Sequence, residues 1–270
     1  MAERTSIEWT DVTWNPVTGC SKVSPGCAHC YAETISKRFA GTNAYPLFKP
    51  WTPENATHNL VLHPERLDQP LRWRRPRVVF VNSMSDLFHE LVPDAFIEQV
   101  YRVMADASQH TFQVLTKRPE RARDVVEKIL DRAGESLRIG APNVWLGVSI
   151  ENARQTWRAD VLREIPAVVR FISAEPLLGS LLEHGRPGRR PLGLDGIDWL
   201  IAGGESGPRH RPVQGCWIRE LRDACAAAGV AFFFKQWGGR TPKAYGRKLD
   251  GRTHDAMPVY SKSGNNFSSR

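Results

Sequence analysis

The 270-residue chain has no uninterrupted apolar run of about 18 residues, which excludes a membrane-spanning helix. Its first residues, Met1-Ala2-Glu3-Arg4-Thr5, have neither the basic start nor the apolar stretch of a secretory leader. A cytoplasmic protein with reduced thiols is therefore expected, with no membrane partner. Cysteine is scarce and odd in number, five in all, and three of the five fall within eleven residues. Such usage argues against a disulfide framework and for a metal site. Solenoid-type repeats and long low-complexity tracts are also missing. What is present is a 41% hydrophobic composition, sufficient for one large core. A formal net charge of +8 favours polyanionic partners by long-range attraction, or serves solubility alone.

Short apolar runs recur along the chain at 78–82, 111–115, 144–148, 168–172, 199–202 and 230–234. Each is rich in β-branched or aromatic residues and does not alternate, as expected of parallel strands buried on both faces. An earlier strand is expected near 11–16. Helical patterns lie between the runs, at 95–107, 120–132, 153–164 and 217–228, with Asp94 as an expected N-cap and Gly229 at a helix end. Alternation of this kind predicts βαβ units, and seven runs predict a full or partial (βα) barrel of parallel strands.

In such barrels functional groups collect after the C-terminal ends of strands. Here those positions carry Ser83-Met84-Ser85-Asp86, Thr116-Lys117-Arg118, Ser149-Ile150-Glu151-Asn152, Ser173-Ala174-Glu175-Pro176, Gly203-Gly204-Glu205-Ser206 and Lys235-Gln236-Trp237-Gly238. Six polar clusters in register are hard to explain as solubilising loops. Three segments break the rhythm. An insertion at 40–77 is rich in Pro, Trp and His and ends in Arg72-Trp73-Arg74-Arg75-Pro76-Arg77. A loop at 183–196 carries Arg186, Arg189 and Arg190, and a polar, Gly-rich tail at 241–270 is expected to pack poorly or to meet a partner. Residues 1–240 then form one barrel domain.

Cys20, Cys27 and Cys30 are spaced C-x6-C-x2-C after the first expected strand and before a helix starting near Tyr31. Thiolates bind iron–sulfur clusters, and three of them leave one iron with an open position. Gly19, Pro25 and Gly26 supply the turning backbone that such a loop needs. Two other readings stay open on these residues: structural zinc with His29, whose adjacency to Cys30 is awkward for joint ligation, and a redox pair of Cys27 and Cys30 that leaves Cys20 unexplained. Cys216 and Cys225 lie in a helix pattern and read as inert thiols, with a redox or hydrogen-donating role as the sharper alternative.

A three-cysteine loop after the first strand of a (βα) barrel resembles the radical S-adenosylmethionine (SAM) enzymes, although their usual spacing is C-x3-C-x2-C. The chain also resembles the phage-associated three-cysteine-motif proteins, through Trp9-Thr10-Asp11-Val12-Thr13-Trp14-Asn15-Pro16, Leu115-Thr116-Lys117-Arg118-Pro119 and Phe233-Phe234-Lys235-Gln236-Trp237-Gly238. A more distant similarity is to spore photoproduct lyase, which reverses a thymine-dimer lesion in DNA; Ser85-Asp86 and Thr116-Lys117 look like its Ser-Asp and Thr-Lys pairs. These resemblances imply a 4Fe–4S cluster held by Cys20, Cys27 and Cys30, with SAM as second cofactor and an electron donor as partner. They imply reductive cleavage of SAM to a 5′-deoxyadenosyl radical that abstracts hydrogen from a substrate, and they leave the catalytic residue on that substrate unknown.

SAM presents an ammonium, a carboxylate and a ribose. Ser83, Ser85 or Asp86 can accept from the ammonium, and Lys117 can pair with the carboxylate. Ser149 and Glu151 suit the ribose hydroxyls, Gly203 and Gly204 allow close backbone approach, and Glu175 and Glu205 complete the candidate cofactor-binding set. Nucleic acid, DNA in particular, is the favoured substrate, for lesion repair or base modification. Arg72, Trp73, Arg74, Arg75, Arg209 and Arg211 are the candidate contacts, on the expectation that they flank the barrel mouth, where arginines neutralise phosphates and an aromatic stacks on a base. The competing readings are a radical enzyme that modifies a peptide or protein and a zinc-dependent nucleic-acid-binding module without catalysis.

Overall fold

The computed structural model of the chain describes residues 5–133, 142–183 and 190–259. Its strands are β1 (Val12–Trp14), β2 (Val17–Thr18), β3 (Val61–Leu62), β4 (Val78–Val81), β5 (Thr111–Thr116), β6 (Val144–Ser149), β7 (Val169–Ala174), β8 (Trp199–Gly203) and β9 (Ala231–Gln236). The helices among the described residues are α1 (Tyr31–Arg38), α2 (Ala56–Asn59), α3 (Asp94–Asp106), α4 (Pro119–Ala133), α5 (Trp157–Glu164) and α6 (Gly215–Ala228). Seven strands form one parallel sheet in the order β1-β4-β5-β6-β7-β8-β9, an α/β fold of the partial (βα) barrel type. The end strands of that order are β1 and β9, so the full-barrel alternative is not the one observed.

Every residue of β6 and β8 is buried, as expected of a parallel sheet whose two faces are both covered, which leaves no room for alternation. The helices bury one stripe each. In α3 that stripe is Phe96, Ile97, Val100, Tyr101 and Met104, the spacing of a 3.6-residue period. Asp94 is not the cap of this helix: Pro93 precedes it, and Asp94 sits in the first turn, where its carboxylate meets Arg121 at 2.8 Å and Lys128 at 3.4 Å. Gly229 ends α6 at φ +69°, a left-handed conformation that glycine adopts without strain.

The insertion is built into the fold. Its β3 pairs antiparallel with β2, Trp51 is buried, and the Trp14 indole N–H donates to the Arg66 carbonyl at 2.8 Å. The tail differs from its expectation as well. In its described part, to residue 259, Leu249 is fully buried, the Phe234 amide donates to the His254 carbonyl, and the Trp199 indole N–H donates to the Ala256 carbonyl. This segment lines the open edge of β9, covering backbone that would otherwise stay unpaired. Among the described residues no helix is long and apolar enough to cross a membrane.

The chain divides into two compact units, residues 1–147 with 164–168 and residues 148–163 with 169–270. Each is described by itself below.

Candidate metal centre and cofactor site

In the first unit the chain leaves β1 through Asn15-Pro16, and the Asn15 side-chain oxygen accepts hydrogen bonds from Ser83 Oγ and the Met84 amide. That bond ties the start of the cysteine loop to the segment after β4. Gly19 continues the attachment: its amide donates to the Met84 carbonyl at 3.1 Å, and it pairs with Ser85 as an isolated parallel bridge. Its φ is +83°, and a Cβ there would lie 1.9 Å from the Asn59 carbonyl oxygen, so only glycine fits. Ser85 Oγ donates to the Val17 carbonyl at 2.9 Å. The three cysteines thus emerge at the C-terminal end of β1, beside the loop that carries Ser83, Ser85 and Asp86.

Cys20, Cys27 and Cys30 are free and half-buried. Burial pushes the Cys20 thiol up to about 12, opposed by the Arg118 guanidinium and reinforced by Asp86, Cys27 and Cys30. Cys30 precedes the first turn of α1; burial raises its pKa, while the Glu33 and Ala32 backbone amides and the Lys117 ammonium favour its thiolate. Lys117 is half-buried, and its ammonium forms no ion pair among the described residues.

Asp86 and Arg118 lie at the centre of the unit's polar network. The Asp86 carboxylate accepts from Thr116 Oγ1 at 2.8 Å, from the Phe88 and Lys117 amides at 3.0 Å each, and from Arg118 Nη1 at 3.1 Å. Burial pushes its pKa up, but these donors prevail and hold it below the ordinary carboxylate range. Arg118 also donates to Glu90 at 2.8 Å, to the Ser21 carbonyl at 3.3 Å, to Ser21 Oγ at 3.1 Å and to Cys20 Sγ at 3.7 Å. The sequence places Arg118 in a strand-end cluster without a role. Adjacent basic residues in a loop do not reveal which of them turns inward.

In the second unit the strand-end acids likewise carry internal cations. Glu151 is fully buried against Arg158 at 3.1 Å, and Arg158 donates to the Ser149 carbonyl at 2.8 Å. Glu175 meets Lys235 at 3.2 Å, and a Cβ on Gly203 would lie 2.5 Å from the Glu175 carboxylate. Glu205 accepts from the Arg211 amide at 2.8 Å and from its guanidinium at 2.9 and 2.5 Å. Gly204 lets β8 approach β9 closely, since a Cβ would fall 2.0 Å from the Trp237 carbonyl oxygen. Arg158 and Lys235 are partners that pattern-reading from sequence missed, because they lie 7 and 60 residues from the acids they neutralise.

The basic run is not beside the cysteine loop. Residues 72–77 enter β4 at its N-terminal end, whereas Ser83 to Asp86 leave it at the other; four residues of strand, about 13 Å, lie between. Arg77 stacks on the Trp73 ring at 5.2 Å, Trp73 meets His110 edge-on at 5.6 Å, and Arg72 pairs with Asp68. Arg74 and Arg75 are exposed, with no ion pair among the described residues. In the second unit Arg209 is exposed and Arg211 is held by Glu205. Arg190 is exposed, while Arg186 and Arg189 lie outside the described residues. Cys225 is buried within α6 and Cys216 is exposed on it.

Residues 4–258 match the family model described as "Protein of unknown function (DUF5131)". The chain belongs to that family. No curated protein matches it. Among solved structures, a mutant of spore photoproduct lyase is similar at a TM-score of 0.45 and 13% identity, over 83% of this chain and 63% of that one. Spore photoproduct lyase complexed with dinucleoside spore photoproduct is similar at a TM-score of 0.41 and 13% identity, over 77% and 59% of the two chains. The chain thus spans less than two thirds of the length of these structures.

The donor chemistry of this loop fits an iron–sulfur cluster. Three thiols from one loop, two amides and an ammonium favouring the Cys30 thiolate, and a guanidinium at Cys20 suit a soft, anionic group. Among the described residues no three His, Cys, Asp or Glu side chains already converge as metal ligands.

Proposed function

We propose that the protein is a radical SAM enzyme in which Cys20, Cys27 and Cys30 hold a 4Fe–4S cluster. The reading rests on one observation: three thiols at the C-terminal end of β1, flanked by the half-buried ammonium of Lys117, which has no ion pair among the described residues, and by the Asp86–Arg118 pair. When bound, a cluster with three thiolates would leave one iron open to SAM and would supply the electron for its reductive cleavage to methionine and a 5′-deoxyadenosyl radical. Lys117 is the residue that binds the SAM carboxylate, as a charge-assisted contact. Ser83 and Ser85 shape the adjoining loop, and Asp86 holds the Thr116–Arg118 turn that presents Lys117. Nucleic acid is the substrate class that the net charge of +8 favours, with the exposed Arg74, Arg75 and Arg209 as available phosphate contacts.

Anaerobic reconstitution followed by metal and product analysis tests the reading. The loaded protein should be brown, carry about four irons per chain and release 5′-deoxyadenosine when a strong reductant and SAM are supplied. Substituting Cys20, Cys27 or Cys30 by Ala should abolish the cluster, and Cys216→Ala should not. Lys117→Ala should weaken SAM binding by about 1.5–3 kcal/mol, the loss of a hydrogen bond to a charged group. One zinc and no iron in the anaerobically purified protein would overturn the proposal in favour of a zinc module.

A further inference from the structure

We propose that Arg118 is a positioning residue that sets the reduction potential of the cluster, by donating an N–H···S hydrogen bond from a buried guanidinium to Cys20 Sγ. The inference rests on the cluster reading above and goes beyond it, since nothing in that reading requires a cation at one particular sulfur.

A guanidinium carries five N–H donors in a fixed plane. In Arg118 each has an acceptor: Nε donates to Glu90, Nη1 to Asp86 and Cys20 Sγ, and Nη2 to the Ser21 carbonyl and Oγ. The side chain is only 6% exposed, so these bonds fix the fork in one orientation. Ser21 is fixed in turn. The Leu91 amide donates to His89 Nδ1 at 3.1 Å, which leaves the ring proton on Nε2, and Nε2 donates to Ser21 Oγ at 2.9 Å. Two acidic side chains, Asp86 and Glu90, face the single guanidinium and offset its charge at a distance. The effect at sulfur is then carried by the direct N–H contact.

Hydrogen bonds to cluster sulfurs and to ligating thiolates are among the levers that set cluster potentials. The reduced cluster holds one more electron, so a cationic donor at a ligating sulfur stabilises it more than the oxidised form and raises the potential. The Glu33 and Ala32 amides and the Lys117 ammonium act at Cys30, whereas the side-chain cation at Cys20 is Arg118. An Arg that served only as a structural clamp for Asp86 and Glu90 would leave the potential unchanged when replaced.

The experiment is an anaerobic redox titration of the reconstituted full-length protein with dithionite as one-electron reductant, followed by electron paramagnetic resonance in the absence of SAM. Arg118→Gln should make reduction about tenfold less favourable, 59 mV for one electron, and Arg118→Lys should recover part of the shift. Arg121→Gln serves as control. It removes a nearby cation that meets Val92 and Asp94 but no cysteine, and should leave the potential in place. Should the Arg118 variants fail to fold, the wild-type protein labelled with 15N-arginine decides the matter. A nitrogen hyperfine coupling to the reduced cluster supports the contact, and its absence overturns the inference. A loaded Arg118→Gln protein with an unchanged potential overturns it equally. A wild-type protein that takes up no iron overturns the cluster reading itself, a result distinguishable from both.

Discussion

Asp86 and Arg118 are both nearly sealed from solvent, with side chains 8% and 6% exposed. At that depth the consequence of losing one partner matters more than the net worth of the pair, because the survivor is left charged and poorly solvated. Asp86→Asn should therefore destabilise the metal-free protein by about 3–5 kcal/mol, read from urea unfolding at neutral pH. The same variant gives a pH signature. The folded pKa of Asp86 lies below its unfolded value of about 3.9, so its contribution is fully present above that value and is lost as pH falls through the folded pKa. The stability gap between wild type and Asp86→Asn should be constant from pH 7 to about pH 5 and shrink below about pH 4. A gap that stayed constant down to the lowest pH at which both proteins fold would show that the carboxylate does not carry the effect.

At the scale of elements, the cysteine loop depends on backbone contacts more than on its own side chains. Gly19 pairs with Ser85 and rests against Asn59, so the loop is held between the end of β4 and the short helix α2 of the insertion. An alanine at Gly19 faces two obstacles, a left-handed backbone that costs about 1–3 kcal/mol for a residue with a Cβ and a carbonyl oxygen 1.9 Å from that carbon. Gly19→Ala should lower stability by at least that backbone cost and reduce iron uptake on reconstitution. Normal iron content with unchanged urea midpoints would mean that the loop does not depend on this attachment. The insertion, which on composition reads as an excursion from the barrel, therefore acts as a wall of the cysteine loop.

At the scale of the molecule, charge and placement separate. The net charge of +8 is a property of the chain as a whole, whereas the run at 72–77 lies at the N-terminal end of β4, away from the cysteines in the same unit. Binding to single- or double-stranded DNA should weaken with salt at a slope of about −0.7 to −0.9 per neutralised phosphate. Joint replacement of Arg74 and Arg75 by Ala should flatten the slope by about one for each lost phosphate contact. An unchanged slope in that variant, with binding retained, would move the contact to other residues such as Arg209. Absence of binding to DNA or RNA at low salt would overturn nucleic acid as the substrate class and favour a peptide or protein.

Much of the architecture is determined by the sequence alone. Apolar runs such as Val144 to Val148 and Trp199 to Ala202 have only one economical arrangement, buried on both faces of a parallel sheet, and they became β6 and β8. The clustering of Cys20, Cys27 and Cys30 after β1 is equally local, since all three lie in one short stretch. What the tertiary structure decided is pairing over distance. Arg118 reaches Cys20 across 98 residues, Lys235 reaches Glu175 across 60, and the basic run and the Ser83–Asp86 segment fall at opposite ends of one four-residue strand. The 241–259 segment, polar in composition, covers β9 by backbone bonds and buries Leu249. A strand's hydrophobic pattern states that it is buried; which charged group meets which is settled only when separate strand ends are brought side by side, because ion pairing is specified by position in space and not by order along the chain.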